Sequence, residues 1–498
     1  MKNIVYLPLD ERPCNYNFAE FLCEGSNEIN LIRPDLSVLG DKKTPAEFNG
    51  VKEFLLENAK TADYLICSVD MLLYGGIVPS RLHRFSEEEL SKRLDLLRVV
   101  KEENPKLKIY AFALVMRCPC YSTSEEEPDY YGVCGEELFL YGQNEHKRLL
   151  NAIDEETYLR EKQKLYKKCG AYLDDFLTRR KVNVELVKKT LSLVGNVIDY
   201  FIVPQDDSNP LGFTAMDQAD VKKTMKENGV AADVYPGADE VGLTLLARAL
   251  TDIKGYSPKI FPVYPKEECK NVIPTYEDRE FYKTLALQIK NAGAILADDA
   301  KTADVLLYCN LPVGEMKNTM FQFGKSYDLR ELDKFIDKLC ADVKKGKAVA
   351  VADVAYLNGG DIELTETISQ KIGLLSLAGY SGWNTSSNSL GTVICQSVFY
   401  NFFGKTAAHL RFIAERIYED VAYCSVVRRD ISENYLPSIG CDYTRADGVR
   451  GKASKEVLKK INDYMQNNYP EIFNAYKITD CYLPWNRAFE VGLIVTER

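Results

Sequence analysis

Short runs of β-branched and aromatic residues recur along this chain, separated by helix-length segments, and several of them end on an acid or an amide. Strands that alternate with helices must run parallel, because each helix carries the chain back to the end from which the previous strand started. The clearest run is Ile198 to Asp207, Ile-Asp-Tyr-Phe-Ile-Val-Pro-Gln-Asp-Asp, in which Tyr200 to Val203 reads as a buried strand halted by Pro204. Gln205, Asp206 and Asp207 then stand just past a carboxyl end, the rim where parallel α/β proteins bind ligands. Leu7 runs likewise into Pro8-Leu9-Asp10-Glu11-Arg12, and Leu65-Ile66-Cys67 into Ser68-Val69-Asp70. Val234-Tyr235 leads to Pro236-Gly237-Ala238-Asp239-Glu240, and Ala350-Val351 to Ala352-Asp353. Strand ends that repeatedly carry acids point to one acidic pocket.

Taken in order, strands are expected at residues 3–9, 29–32, 64–67, 108–116, 200–203 and 233–235, with the fourth ending at Arg117. Further strands fall at 259–263, 305–309 (ending on Asn310), 348–352 and 374–378. Pro13 predicts a loop after the first strand, residues 45–59 a helix, and Ser86 with Glu89 a capping box opening a helix to about Glu103. The paired Gly75-Gly76 predicts a tight turn or a close backbone approach to a ligand. Residues 121–196 break the rhythm with an acidic loop, Ser124-Glu125-Glu126-Glu127-Pro128, followed by Lys-, Glu- and Leu-rich helices, a helical excursion placed as a lid over the site. From Gly391 onward the chain reads as mostly helical.

The fold expected is therefore α/β with a parallel sheet, a (β/α)-barrel-like catalytic domain with the excursion at 121–196 and an inserted or second α/β unit. The alternative is two doubly wound open sheets facing across a cleft. Three parts are expected: 1–255 as the catalytic half, 256–345 as the inserted or second unit, and 346–498 as the part completing the site. A chain of 498 residues has ample material for an enclosed site.

Composition removes several function classes. The 63 basic and 73 acidic residues give a net charge of -10, with no Lys/Arg-rich patch to neutralise phosphates, so nucleic acid is excluded as a partner. No apolar run reaches the ~20 residues a bilayer requires, and charge arrives too early at the start for a signal peptide. A cytoplasmic protein without membrane partners is expected, and its oligomeric state is left open. The 14 cysteines are scattered, with no Cys-x-x-Cys pair, which fits thiols in a reduced compartment. With only three histidines, acid/base chemistry falls to carboxylates or tyrosines.

The candidate catalytic residues are Asp206, Asp207, Asp70 and Asp239. Asp10, Glu11, Arg12, Tyr74, Arg81, Arg117, Gln205, Glu240, Trp383, Asn384 and Asn388 are expected to bind substrate. Each has a plainer explanation. Asp239 and Glu240 precede a helix and could serve its N-terminus, while Asp10-Glu11-Arg12 could be a local ion pair on a loop. Adjacent side chains of an extended segment point apart, so Asp206 and Asp207 reach one ligand only across a turn. Phe323-Gly324-Lys325-Ser326 ends like a P-loop, but Thr319 stands where its first glycine belongs.

Leu7-Pro8-Leu9-Asp10-Glu11-Arg12-Pro13, the Ser68 to Arg81 run, Gln205-Asp206-Asp207, Pro236 to Glu240 and Gly382-Trp383-Asn384-Thr385 occur here in one order. Together they resemble a bacterial family catalogued as a domain of unknown function (family 4127), over nearly the whole chain. The resemblance implies no activity. From the residues themselves, many acids, few histidines and aromatic residues beside amides (Trp383-Asn384 above all) fit a carbohydrate substrate, stacked on a ring and hydrogen-bonded through its hydroxyls. The expected function is a glycoside hydrolase, with Asp206 or Asp207 as acid and Asp70 or Asp239 as its partner. A metal-assisted hydrolase and a non-catalytic sugar-binding protein are the alternatives. No organic cofactor is expected, and a divalent cation is the secondary expectation in so acidic a place.

Overall fold

β1 (Lys2–Leu7), β2 (Ile29–Ile32), β3 (Tyr64–Ser68), β4 (Lys108–Phe112), β5 (Tyr200–Gln205) and β6 (Asp233–Pro236) form one parallel sheet in the computed structural model. The structure describes residues 1–322 and 328–498, so the P-loop-like Phe323-Gly324-Lys325-Ser326 stretch lies outside the described residues. The strand order is β2-β1-β3-β4-β5-β6, with open edges at β2 and β6. This is a doubly wound sheet whose strand order reverses between β1 and β3, and no barrel closes. Closure would need β6 to find β1 or β2 as a neighbour, whereas β1 already has β2 on one side and β3 on the other.

The second sheet is also parallel and open. It contains β7 (Lys259–Val263), β8 (Ile295–Leu296), β9 (Val305–Asn310), β11 (Ala348–Asp353) and β13 (Gly379–Ser381), in the order β13-β11-β9-β7-β8. Two-residue strands β10 (Lys317–Asn318) and β12 (Tyr356–Leu357) pair separately, and β14 (Tyr476–Tyr482) pairs antiparallel with β15 (Gly492–Glu497). The expected alternative of two doubly wound open sheets is thus the architecture found. The boundary expected at residue 345 falls inside one sheet, since β9 and β11 pair directly.

The chain divides into two compact units. The first contains residues 1–11, 28–242 and 276–278, and the second 12–27, 243–275 and 279–498. Two local expectations are corrected. Pro13 opens the helix Pro13–Cys23 instead of preventing one, because the first helical residue needs no N–H partner and its φ suits proline. The strand expected at 374–378 lies later, at Gly379–Ser381, after a short 3-10 turn. From Gly391 onward the chain is mostly helical as expected, with the β14–β15 hairpin added. The Ser86–Glu89 capping box is present as expected. Among the described residues no helix is long and apolar enough to cross a membrane.

The excursion is an antiparallel pair of helices, Tyr131–Leu149 and Glu155–Leu191, in the first unit. Their cross-pairs, Lys168 with Glu137 and Tyr158 with Glu145, fix the register, and Cys134 forms a disulfide with Cys169. This corrects the expectation of thiols throughout. The pair is invisible in local spacing because two helices folding back bring together cysteines 35 positions apart. The other twelve cysteines form no disulfide. Closing a loop of that length restricts the unfolded chain, so Cys169→Ser is expected to lower stability by about 2–4 kcal/mol. Denaturant unfolding with and without reductant checks this, and identical curves would show that the link contributes nothing.

Candidate functional site

Arg81 and Arg117 stand at the centre of a carboxylate cluster on the first sheet's carboxyl rim. Arg81 comes from the short helix Ile77–Leu82, reached from the helix Val69–Tyr74 through Gly75-Gly76. Gly75 has φ +85°, and a Cβ there would fall 2.5 Å from the Ala46 amide nitrogen, so this turn admits only glycine. Arg117 follows β4. Both backbones are held by the long excursion helix. Arg179 donates to the carbonyls of Leu82 and His83, Arg180 to those of Met116 and Arg117, and Asn183 bonds Leu114 and Met116. The excursion therefore buttresses the site.

Arg81 donates from Nη2 to Asp206 at 2.7 Å and from Nη1 to Glu126 at 3.1 Å and Glu127 at 3.3 Å. Arg117 donates from Nε to Glu127 at 2.8 Å, from Nη2 to Glu126 at 2.9 Å and from Nη1 to Asp207 at 3.1 Å. Glu126 and Glu127 thus each bridge both guanidinium groups. They belong to the acidic loop, which the sequence marks only as a charge run, and Pro128 immediately after them is the one local sign that the run is held. Lys42 ties the same loop to the β1 rim, with its amide N–H on Glu11 and its ammonium on Glu125.

The turn that Asp206 and Asp207 need is present. Asp207 adopts φ +37°, so consecutive carboxylates converge on Arg117, Asp207 at 3.1 Å and Asp206 at 4.0 Å. Burial pushes the Asp207 carboxyl up to about 7; Arg117 opposes this and the neighbouring Asp206 adds to it. Burial likewise pushes Asp70 up to about 7 against the pull of the Leu114 N–H, which bonds it at 2.9 Å; the charges of Arg81 and Asp206 also act on it. Asp70 follows β3 and Asp10 follows β1, so they flank the point where the strand order reverses, the preferred ligand position in such sheets.

The other expected residues are distributed as follows. Gln205 donates to Asp278 at 2.9 Å. Asp239 and Glu240 are buried ahead of the helix Val241–Lys254, and Glu240 accepts from the Ala238 N–H at 3.0 Å, its carboxylate filling the space a side chain at Gly237 would take. Tyr74 is buried against the His83 ring and offers no open face for stacking. Tyr121, which no local pattern singles out, is 36% exposed, and its hydroxyl lies in the field of Arg117 and Asp207.

Arg12, Trp383, Asn384 and Asn388 belong to the second unit. Arg12 stacks on Trp485 at 4.3 Å and meets Glu490 at 3.8 Å. Trp383 is buried with its Nε1–H on Thr392 at 3.3 Å, so its ring also lacks an open face. The carbonyl of Asn384 accepts from the Asn358 N–H, and Asn388 is buried in the following helix.

The strand-end acids therefore fall on two sheets. In the second unit Asp353 accepts from Asn310, Tyr380 and the Asp361 N–H at 2.7–2.9 Å, while Asp361 pairs with Arg330 at 2.6 Å. Nearby, fully buried Arg416 holds Glu415, Glu419 and Asp420. Burial raises Asp353 and Asp420 to about 7 and Glu415 to about 8. Their folded values exceed the unfolded ones of about 4. The folded state therefore binds the extra protons between pH ~4 and ~8, and their contribution to stability is complete below that window and lost as pH rises through it. The thermal midpoint is expected to fall from pH 5 to pH 8.5, and to fall less for Glu415→Gln. Parallel pH curves for the two proteins would contradict the assignment of a proton to Glu415.

The sequence profile of the family described as Protein of unknown function (DUF4127) matches residues 4–494. The chain belongs to this family. A comparison with curated proteins gives no match. Among the described residues no three His, Cys, Asp or Glu side chains are arranged to hold a metal ion.

Proposed function

We propose that this DUF4127 protein is a hydrolase acting on carbohydrate, a glycoside hydrolase that uses Asp207 as proton donor and Asp206 as its carboxylate partner. The observation that carries the reading is the turned Asp206–Asp207 pair, both within reach of Arg117, with one carboxyl raised to about 7 and the other bonded to Arg81 at 2.7 Å. Protonated Asp207 supplies the glycosidic oxygen with its proton as the bond breaks. Asp206, beside the guanidinium groups, faces the positive charge that develops on the sugar ring, as nucleophile or as base toward water. Asp70, 2% exposed and bonded to a backbone amide, takes no direct part and sets the field beneath the pair. Tyr121 is the aromatic surface on which a sugar face stacks.

A screen of chromogenic glycosides tests the reading with wild type, Asp206→Asn, Asp207→Asn and Asp70→Asn. Turnover lost in the first two variants and retained in the third is the expected pattern. Turnover indifferent to all three rejects it, and sugar binding without turnover favours a binding protein.

A further inference from the structure

The loop between β13 and the helix Ser386–Phe403 lies within the second unit and carries neither acid nor base from Gly379 to Asn388. A helix leaves its first amides without intrahelical acceptors, and its N-terminus is partly positive. Here Thr385, at the cap position, makes no side-chain capping bond, and the first turn holds no acid. Three polar side-chain atoms at the same end are also unsatisfied. The hydroxyls of Ser381 and Ser386 and the Oδ1 of Asn388 are buried without a hydrogen-bond partner, in residues 0%, 2% and 4% exposed. Ser386 and Asn388 are the first and third residues of the helix. Ser381 shares a face of β13 with Gly379, where a Cβ would meet Val393 and Ser397 of that helix at 3.2 and 3.3 Å, so its hydroxyl is turned toward the same element, nearer its start. Buried polar groups ordinarily find partners, and three unpaired at one helix end mark a place that a ligand completes.

Tied to this loop is a cation without a counter-charge. Arg428, 1% exposed, donates to the carbonyls of Phe489 at 2.9 Å and Asn358 at 2.7 Å, and the Asn358 N–H bonds the Asn384 carbonyl at 2.8 Å. Its Nε has no partner, and among the described residues no carboxylate forms an ion pair with it. The carboxylate nearest the loop, Asp420 on the Gly382 N–H at 2.8 Å, is matched by Arg416 at 2.9 Å.

We propose that the N-terminus of the helix Ser386–Phe403 is an oxyanion site, taking a phosphate or carboxylate group that bears or adjoins a hydroxyl. The first-turn amides and the hydroxyls of Ser381 and Ser386 donate to the anion, its neighbouring hydroxyl donates to Asn388 Oδ1, and Arg428 adds positive field. This goes beyond the glycoside hydrolase reading and does not depend on it.

The test is calorimetric titration of the full chain at pH 7 with inorganic phosphate, glucose 6-phosphate, gluconate and glucose, beside thermal unfolding with and without each. At least one of the anions is expected to bind at one site per chain, roughly tenfold or more tighter than glucose, and to lose about that factor in Ser381→Ala and in Ser386→Ala. Preference for the two phosphates identifies a phosphate ligand and preference for gluconate a carboxylate. Without ligand, both variants should unfold at or above the wild-type temperature, since neither hydroxyl has a partner to lose. The proposal is overturned if no anion binds, if glucose binds as tightly, if both variants bind the anion as wild type does, or if the unliganded variants are clearly destabilised.

Discussion

Arg117→Met is expected to cost about 3–5 kcal/mol of stability, the range for breaking a buried ion pair by removing one partner. The residue donates to three carboxylates, one of which, Glu127, is almost wholly buried. Methionine keeps much of the bulk but takes a guanidinium away from all three carboxylates. Lys42→Met removes an ion pair at the more exposed edge of the same loop and is expected to cost only about 0–1 kcal/mol. Chemical denaturation of both variants at pH 7 gives the comparison. If the two lose the same small amount, the Arg117 cluster is solvated and its burial has been misread.

Asp207→Asn is expected to lower kcat/KM on a cleavable glycoside by about 100- to 10,000-fold, the usual contribution of a positioned general acid. The fold should be undisturbed, because asparagine tolerates a positive φ and its carbonyl oxygen can still accept from Arg117. Circular dichroism and an unfolding curve matching wild type would show that the loss is chemical. Activity within a few-fold of wild type would remove Asp207 from the mechanism.

What the sequence revealed and what it hid follow from the range of the forces involved. Most strands of both parallel sheets are visible locally, as β-branched runs such as Tyr200 to Val203, although β5 continues through Pro204 to Gln205 and the two-residue β8 carries no such run. Whether six such strands close into a barrel depends on which strand lies beside β6, and no local pattern carries that information. Asp70, Asp206 and Asp207 could be singled out because carboxyl ends of parallel strands share one rim. Glu126 and Glu127 could not, since one of their two partners, Arg81, is about 45 positions away and an acidic run ordinarily means a solvated surface. Pro13 misled because proline forbids a helix interior but suits its first residue. Tyr74 and Trp383 were attractive as stacking platforms only until their burial was known.

Whether Asp207 delivers a proton to the departing oxygen is decided by varying the leaving group. Aryl glycosides with strongly acidic phenols need little protonation, whereas those with weakly acidic phenols need it fully. Measured across such a series, kcat/KM for Asp207→Asn should approach wild type with the best leaving group and fall progressively further behind as the leaving group worsens. A deficit of the same size for every leaving group would contradict the claim, because it would mean that Asp207 shapes the site without transferring the proton.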